Sequence, residues 1–323
     1  MSSPIRSFLL PLAAAISLLA APHAFAQAPW PNKPMRVIVP YPAGGNSDAI
    51  GRFIADKLGV ALGQPMVVDN KGGAGATIGA ELAARSAGDG YTFMVAPTAV
   101  FAITPHLRKV SYQPFTDFVP IAQLTGSYSI ATARKDAPFN NIKELVAAAR
   151  KAPGKYTFGS AGPATATHLA GEMVDNQAGI DMLHVPYKGS AEALSDLMGG
   201  RIDMIYDPVS LTQVKAGKVK AIAVLSKKRH PELPDVPTIR EQGYDLDTRS
   251  WFGLFAPKGT PKAMVERMAT EVEKIMATDE ARQLLLKMSQ YPEYVGPAAF
   301  AAQIKGDSSF FKELIVRANI HVE

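Results

Sequence analysis

The segment Val37–Arg52, VIVPYPAGGNSDAIGR, constrains the fold of this chain more than any other part of the sequence. A β-branched run at Val37–Val39 is typical of a buried strand, and it leads into a glycine turn at Ala43–Gly45. The apolar residues after the turn recur at helical spacing, so we predict that the turn opens directly onto a helix. These residues are Ile50, Phe53, Ile54 and Leu58.

A turn of this kind gathers N–H groups at the start of a helix. Asn46 or Ser47 is expected to cap the helix, because a short oxygen side chain accepts hydrogen bonds from the first N–H groups. The remaining N–H groups and the positive end of the helix dipole attract carboxylate or phosphate. The segment therefore predicts an anion-binding turn.

The beginning of the chain and its composition indicate an exported protein. Residues 1–26 have the pattern of a signal peptide, with Arg6, the apolar stretch Phe8–Ala21 and a small-residue cleavage site at Ala24–Ala26. Cysteine is absent, which excludes disulfides, thiolate catalysis and zinc–thiolate sites. The net charge is +5, and the dense basic run Lys227–Arg229 lacks interleaved aromatic residues, so no nucleic-acid partner is expected.

Strand-like and helix-like segments alternate through most of the chain. This alternation predicts an α/β fold in which parallel sheets are covered by helices on both faces. A second glycine-rich strand–helix turn lies at 160–168. Ligands of such sheets bind at the carboxyl ends of the strands. The two turns are too far apart in the chain to share one small sheet, and in separate lobes they would face each other across a cleft.

Five segments follow one family pattern in the same order along the chain. They are VIVPYPAGGNSDAIGR (37–52), VVDNKGGAGATIGA (67–80), FGSAGPATATHLAGE (158–172), HVPYKGSAEALSDLMGGRIDMIYD (184–207) and SWFGLFAPKGTP (250–261). Together they make the chain resemble the periplasmic substrate-binding proteins of tripartite tricarboxylate transporters, the Bug family.

The resemblance implies a two-lobed periplasmic binding protein fold of type II, with two doubly wound sheets joined by two crossover strands. Lobe I would combine 27–125 with 226–323, lobe II would be 126–225, and the signal peptide would be 1–26. The implied function is capture of a small carboxylated ligand between the lobes and its delivery to the membrane permease subunits of a tripartite tricarboxylate transporter. A mono-, di- or tricarboxylate, an aromatic acid or an amino acid would fit. We expect a periplasmic monomer without catalytic residues, metal or cofactor.

The predicted ligand-binding residues lie on the two turns and at neighbouring strand ends. Asp48 either contacts the ligand or orders its own loop, because its charge repels a carboxylate. His168 is expected to act as a neutral donor, since a helix N-terminus disfavours protonated imidazole. Asp207 either closes an Asp-Pro turn or fixes water or a ligand ammonium, and Tyr41 shapes the pocket wall. The full set is Tyr41, Ala43, Gly44, Gly45, Asn46, Ser47, Asp48, Ser160, Ala161, Gly162, Thr165, His168 and Asp207.

Two alternative functions stay open at this point. An exported hydrolase would use Ser160 or Ser47 as nucleophile and His168 as base, although the sequence contains no G-x-S-x-G motif. A receptor of the same class could also present its ligand to a sensor kinase. The run Gly73–Gly79 departs from the dinucleotide pattern by one residue, which argues against a nucleotide cofactor. No histidine pair has H-x-x-x-H spacing, so a metal site is not expected.

Overall fold

The computed structural model describes residues 30–163, 165–248, 250–317 and 320, so the expected signal peptide at 1–26 lies outside the described residues. Strands and helices alternate in the described residues, as the sequence predicts. Numbered along the chain, the strands are β1 (Met35–Val39), β2 (Met66–Asn70), β3 (Thr92–Pro97), β4 (Phe118–Ser127), β5 (Ile130–Arg134), β6 (Thr157–Ser160), β7 (Leu183–Pro186), β8 (Met204–Tyr206), β9 (Val219–Val224), β10 (Ser250–Pro257) and β11 (Tyr291–Val295).

The helices cover these strands and connect most of them. Short 3₁₀ turns at Ala74–Ala76 and Pro208–Ser210 precede two of the helices. In chain order the α-helices are α1 (Asn46–Leu62), α2 (Thr77–Ala84), α3 (Thr98–Ala102), α4 (Thr104–Leu107), α5 (Ile142–Lys151), α6 (Ala166–Ala178), α7 (Ser190–Met198), α8 (Leu211–Lys215), α9 (Lys262–Met276), α10 (Asp279–Lys287) and α11 (Pro297–Arg317).

The strands of the described residues form two sheets. The first has the order β11–β4–β10–β3–β1–β2, and the second has the order β7–β6–β8–β5–β9. In the first sheet β1 is parallel to β2 and β3, whereas β10 is antiparallel to β3 and β4. In the second sheet β6 is parallel to β7 and β8, and β5 runs antiparallel to β8 and β9. Each glycine turn therefore follows a parallel strand at its carboxyl end.

Close packing of α1 on β1 positions the first turn. Val37, Ile38 and Val39 are fully buried, and the predicted apolar face of α1 packs in the same half of the molecule. Gly51 allows this close approach, because a Cβ there would lie 2.6 Å from Val39 Cγ2. The helix start is thus held directly beyond the end of the strand.

Helix α5 confirms a sequence prediction at both ends. The Asn141–Glu144 capping box predicts a start at Ile142, and Pro153-Gly154 predicts an end near Lys151. In the structure Glu144 N donates to Asn141 Oδ1 at 2.9 Å, and the helix spans Ile142–Lys151. The carboxylate of Glu144 accepts from the backbone N of Asn140 at 2.8 Å, one residue earlier than a standard capping box requires.

Two connections join the sheets, one between β4 and β5 and the other between β9 and β10. The described part of the second connection packs with the second sheet. Ile239 N donates to Val224 O, and Thr248 N donates to Leu225 O, both at 2.9 Å. Ile239 and Leu246 are buried in the core of that half.

Helix α11 contributes to the cores of both halves. Near its start, Phe300 and Ile304 pack with Trp251 of the first sheet. Further along, Phe311 and Leu314 join the core that surrounds the second sheet. In the described residues no helix has both the length and the apolar character that a bilayer crossing requires.

Candidate functional site

The first glycine turn leaves several N–H groups exposed at the start of α1. Gly45 occupies the N-cap position with extended backbone angles (φ −93°, ψ 178°), and no side chain caps the helix. The prediction that Asn46 or Ser47 caps α1 is therefore wrong, because both residues lie inside its first turn. In the described part of the chain, the N–H groups of Asn46, Ser47 and Asp48 have no hydrogen-bond partner.

Asp48 orders this turn from within. Its Oδ2 accepts from Gly44 N at 2.9 Å, and its Oδ1 forms an ion pair with Arg52 Nε at 2.9 Å. Burial raises the pKa of the Asp48 carboxyl, but the contacts with Arg52 and Gly44 outweigh burial and hold the pKa below its usual value. The geometry matches the loop-ordering alternative for Asp48. Its negative charge is compensated by Arg52, so it repels an approaching anion less.

The other predicted residues of the first turn have different surroundings. Ser47 is 8% exposed, and its hydroxyl has no partner among the described residues. Asn46 reaches the C-cap of α10, where its Nδ2 donates to Met288 O at 3.4 Å. Tyr41 packs against the apolar core, and burial raises the pKa of its phenol to about 12. Ala43, Gly44 and Gly45 are exposed.

A further glycine-rich segment, at 71–76, packs against the first turn. Gly72 lies so close to Pro42 that a Cβ would be 2.7 Å from Pro42 Cδ. Gly73 has a φ of 129°, in the region that side chains rarely adopt. These glycines are therefore explained by close packing and backbone geometry at the base of the first turn.

The turn at 160–168 is closed by its own side chains. Ala161 N donates to Thr167 Oγ1 at 2.9 Å, and Gly162 N donates to Ser160 Oγ at 3.1 Å. Thr165 caps α6 by accepting from His168 N at 3.4 Å, and its hydroxyl donates to Gly162 O at 2.7 Å. These three N–H groups are thus satisfied within the turn, as that of Gly44 is in the first turn. The N–H groups of Ala166 and Thr167, at the start of α6, have no partner among the described residues.

His184 is the neighbour of this turn that the sequence reasoning missed. Its Nε2 lies 2.7 Å from Ser160 Oγ, and its ring stacks on that of His168 with 3.9 Å between centroids. His168 Nε2 lies 3.4 Å from Glu172 Oε1 instead. The structure therefore pairs Ser160 with His184 and not with His168, the base named in the alternative hydrolase hypothesis. Burial, together with His168, lowers the pKa of His184 to about 4.

Asp207 lies at the carboxyl end of β8, where it caps the following turn. Its Oδ1 accepts from Val209 N at 2.8 Å, and its Oδ2 accepts from Ser190 Oγ at 2.5 Å. Burial raises the pKa of this carboxyl despite both hydrogen bonds. These contacts match the Asp-Pro turn alternative.

Neither turn lines either of two cavities found near the connections between the sheets. One, of about 290 Å³, is lined by residues that include Tyr128, Lys227 and Trp251. The other, of about 480 Å³, is lined by residues that include Tyr128, Glu232 and Tyr291. Among the described residues no hydrogen bond or ion pair joins the first turn to the second. Within the same residues, no three His, Asp or Glu side chains are arranged to hold a metal ion.

The chain matches the family model described as "Tripartite tricarboxylate transporter family receptor" over residues 50–319. It is 38% identical over 298 residues to the UPF0065 protein of the tcbD–tcbE intergenic region of Pseudomonas sp. strain P51, covering 90% of this chain and 88% of that protein. It is also similar to the solved structure of the periplasmic binding protein BugD, with 36% identity, a TM-score of 0.74 and coverage of 91% of this chain and 100% of that one.

A third similar protein is Rpa4515 of R. palustris, whose structure was solved with adipate. It shares 31% identity with a TM-score of 0.78, and the match covers 90% of this chain and 99% of that one. The predicted two-lobed periplasmic binding protein fold is confirmed by these structures and by the two sheets. The family match spans most of the chain, and the chain therefore belongs to the receptor family of tripartite tricarboxylate transporters.

Proposed function

We propose that this protein binds a small carboxylated molecule with one carboxylate at the N-terminus of α1. The proposal depends mainly on the unpartnered N–H groups of Asn46, Ser47 and Asp48. They lie at the positive end of a 17-residue helix. The structure of Rpa4515 with adipate supports a carboxylic acid as the ligand class. A mono-, di- or tricarboxylate, an aromatic acid or an amino acid would satisfy the same contact.

The energetics require contacts beyond the first turn. A micromolar dissociation constant corresponds to about 8 kcal/mol. Hydrogen bonds to a charged group contribute about 1.5–3 kcal/mol each, and a helix N-terminus contributes about 0.3–1 kcal/mol. Immobilising the ligand opposes these gains, so three amides account for only part of such an affinity. A second binding surface is therefore needed.

We assign this second surface to the turn that follows β6 and to the neighbouring strand ends. Its members are Ser160, Ala161, Gly162, Thr165, His168 and Asp207. Closure of two lobes around the ligand would bring this surface against the first turn. We place the lobe boundary near residue 249 instead of 225, because Ile239 and Thr248 hydrogen-bond to the second half.

The proposed setting is the periplasm. BugD, a family member with a solved structure, is a periplasmic binding protein. We infer that residues 1–26 direct export and that the monomeric receptor delivers its ligand to the membrane permease subunits of a tripartite transporter. A sensor kinase as the receiving partner is the alternative, and capture of either partner from membranes by the ligand-loaded receptor would distinguish them. We propose binding without catalysis.

Calorimetric titration with adipate, citrate, benzoate and aspartate tests the carboxylate site. Gly45→Leu is the informative variant, because Gly45 has ordinary backbone angles and nothing lies within 4 Å of its Cβ position. A leucine there would cover the free amides without straining the turn. We expect at least a hundredfold loss of affinity, and Gly306→Leu, at an equally open position on α11, should leave it unchanged. Unchanged affinity in Gly45→Leu would refute the site.

A further inference from the structure

Two rings contact His184 beside the second turn. The His184 ring lies 4.9 Å from that of Phe158 and 3.9 Å from that of His168, measured between centroids. Phe158 and His184 are register partners on β6 and β7, and His168 covers them from α6. These contacts set the plane of the His184 ring, and in this plane its Nε2 atom lies 2.7 Å from Ser160 Oγ.

Ser160 has one hydroxyl proton and two acceptors for it. His184 Nε2 lies at 2.7 Å, and Gly162 O lies at 3.2 Å. Gly162 O already accepts from the Thr165 hydroxyl at 2.7 Å, so His184 Nε2 is both the nearer and the less occupied acceptor. This arrangement favours donation from Ser160 to His184, which leaves the imidazole proton on Nδ1. The Ser160 oxygen then accepts from Gly162 N at 3.1 Å.

Gly162 needs such a tether because its backbone is unusual. It has a φ of 119°, and its carbonyl accepts from the Thr165 hydroxyl while its N–H is held by Ser160. Ser160 itself is only 1% exposed, which leaves little of its surface for a ligand.

The geometry points to His184 as a positioning residue that takes the Ser160 proton, so that Ser160 tethers Gly162 and does not donate to the ligand. This inference rests on the proposed function only in that ligand affinity is one of its readouts. It changes the role of Ser160 from a ligand contact to an internal support. The ligand would then contact the second turn, whose shape depends on the Ser160 side chain, without contacting Ser160 itself.

A double-mutant cycle between Ser160→Ala and His184→Phe tests the inference. Phenylalanine keeps the ring stack and removes the acceptor. Each single variant should weaken carboxylate binding about fivefold to tenfold, and the double variant should be no weaker than either, because both remove the same hydrogen bond. Additive losses, or a loss in Ser160→Ala alone, would overturn the tether. His184→Gln, whose amide oxygen can accept the proton, should restore most of the affinity.

The pair His106–Ser308 provides a matched control. His106 Nε2 lies 2.7 Å from Ser308 Oγ, between α4 and α11. A cycle of His106→Phe and Ser308→Ala should show coupling in thermal stability without a change in affinity. If no carboxylate binds, the proposed function fails, but coupling in the thermal stability of Ser160 and His184 variants still tests the tether.

NMR of the ¹⁵N-labelled imidazole rings tests the same inference in the wild-type protein. At neutral pH, His184 should carry its proton on Nδ1, with Nε2 unprotonated and accepting. A proton on Nε2 would mean that the imidazole donates to Ser160, and it would overturn the proposed direction of the hydrogen bond. The measurement needs no variant to fold and no ligand to bind.

Discussion

The two glycine turns occupy equivalent places at the carboxyl ends of parallel strands, yet they differ in how many of their amide groups have partners. In the first turn Gly44 donates to Asp48, and Asn46, Ser47 and Asp48 present N–H groups with no partner among the described residues. In the second turn Ala161, Gly162 and His168 donate to side chains of the turn itself. Ala166 and Thr167, at the start of its helix, have no partner among the described residues. Glycine at the end of a strand therefore does not by itself identify an anion site.

The hydrogen-bond partners of each turn, more than its glycines, determine what the turn can bind. Asp48 and Arg52 stabilise the first turn from below and leave the helix start open. Thr165 and Ser160 stabilise the second turn by accepting from His168 N and Gly162 N, which leaves fewer free N–H groups at the start of α6 than at the start of α1. We therefore expect the first turn to contribute more than the second to binding of a carboxylate.

Among the variants that compare the stabilising contacts of the two turns, the largest effect is expected for Asp48→Ala. The variant removes the acceptor of Gly44 N and the partner of Arg52, and the turn loses the side chain that orders it. Affinity for a carboxylate should fall about tenfold to hundredfold, since hydrogen bonds to a charged group contribute about 1.5–3 kcal/mol. Calorimetric titration measures this loss of affinity. Asp56→Ala on the exposed side of α1 is the control, and equal affinities in both variants would contradict the ordering role.

A smaller effect, on stability, is expected for Thr165→Ala. The variant removes the N-cap of α6 and the hydroxyl that donates to Gly162 O. Loss of a threonine cap costs about 0.5–2 kcal/mol of unfolding free energy. Urea denaturation should show this loss, whereas Thr270→Ala, in the exposed part of α9, should change little. An unchanged denaturation midpoint would mean that the second turn does not depend on its cap.

Ser47→Ala should weaken ligand binding and leave stability almost unchanged, the reverse of what we expect for Thr165→Ala. Its hydroxyl has no partner in the described residues, so the free energy of unfolding should change by no more than about 0.5 kcal/mol. Carboxylate affinity should fall about fivefold, the factor expected for about 1 kcal/mol of lost hydrogen bonding. Urea denaturation measures the change in stability, and calorimetric titration of the same sample measures the change in affinity. A clear stability loss with unchanged affinity would reverse the contrast between the turns.

The smallest expected effect is on the pH dependence of folding stability. His184 has its pKa lowered to about 4, mainly by burial and then by His168, with Glu172 acting in the opposite direction. The unfolded chain binds a proton near pH 6.5 and the folded chain does not, so folding stability falls as pH decreases from about 6.5 to 4. Because His184 is only partly buried and solvent screens its charge, we expect its share to be at most about 1 kcal/mol.

Thermal denaturation between pH 7 and 4.5 measures this share as the difference between the wild-type protein and His184→Gln. Asp48 has a lowered pKa, so the stability that it contributes persists down to about pH 4 and is lost only below it. The first turn should therefore be insensitive to pH over the range in which the second weakens. Identical pH profiles for wild type and His184→Gln would contradict the assignment to His184.

The strand–turn–helix units could be predicted from sequence because their signals are local. Helix α5 begins after Asn141 and ends before Pro153-Gly154, as the sequence indicates. The cap of α1 could not be predicted correctly, because Gly45, Asn46 and Ser47 are all acceptable at an N-cap. Only the backbone angles of the folded chain distinguish Gly45 as the cap.

Features that depend on strand pairing could not be predicted from the sequence. Ser160 and His184 are 24 positions apart, and the pairing of β6 with β7 brings them together. No spacing rule identifies such a pair. His184 does stand in the segment HVPYKGS, whose match to the family pattern was the only available signal. The packing of Ile239 with the second half likewise depends on hydrogen bonds to β9 that periodicity does not indicate.

Helix α11 has a mechanical consequence for any motion between the halves. Because Phe300 is anchored beside Trp251 and Leu314 lies beside Met173 on α6, the helix acts as a strut alongside the two chain connections. Its two ends are fixed to different halves, so a relative movement of the halves would have to bend or displace this helix.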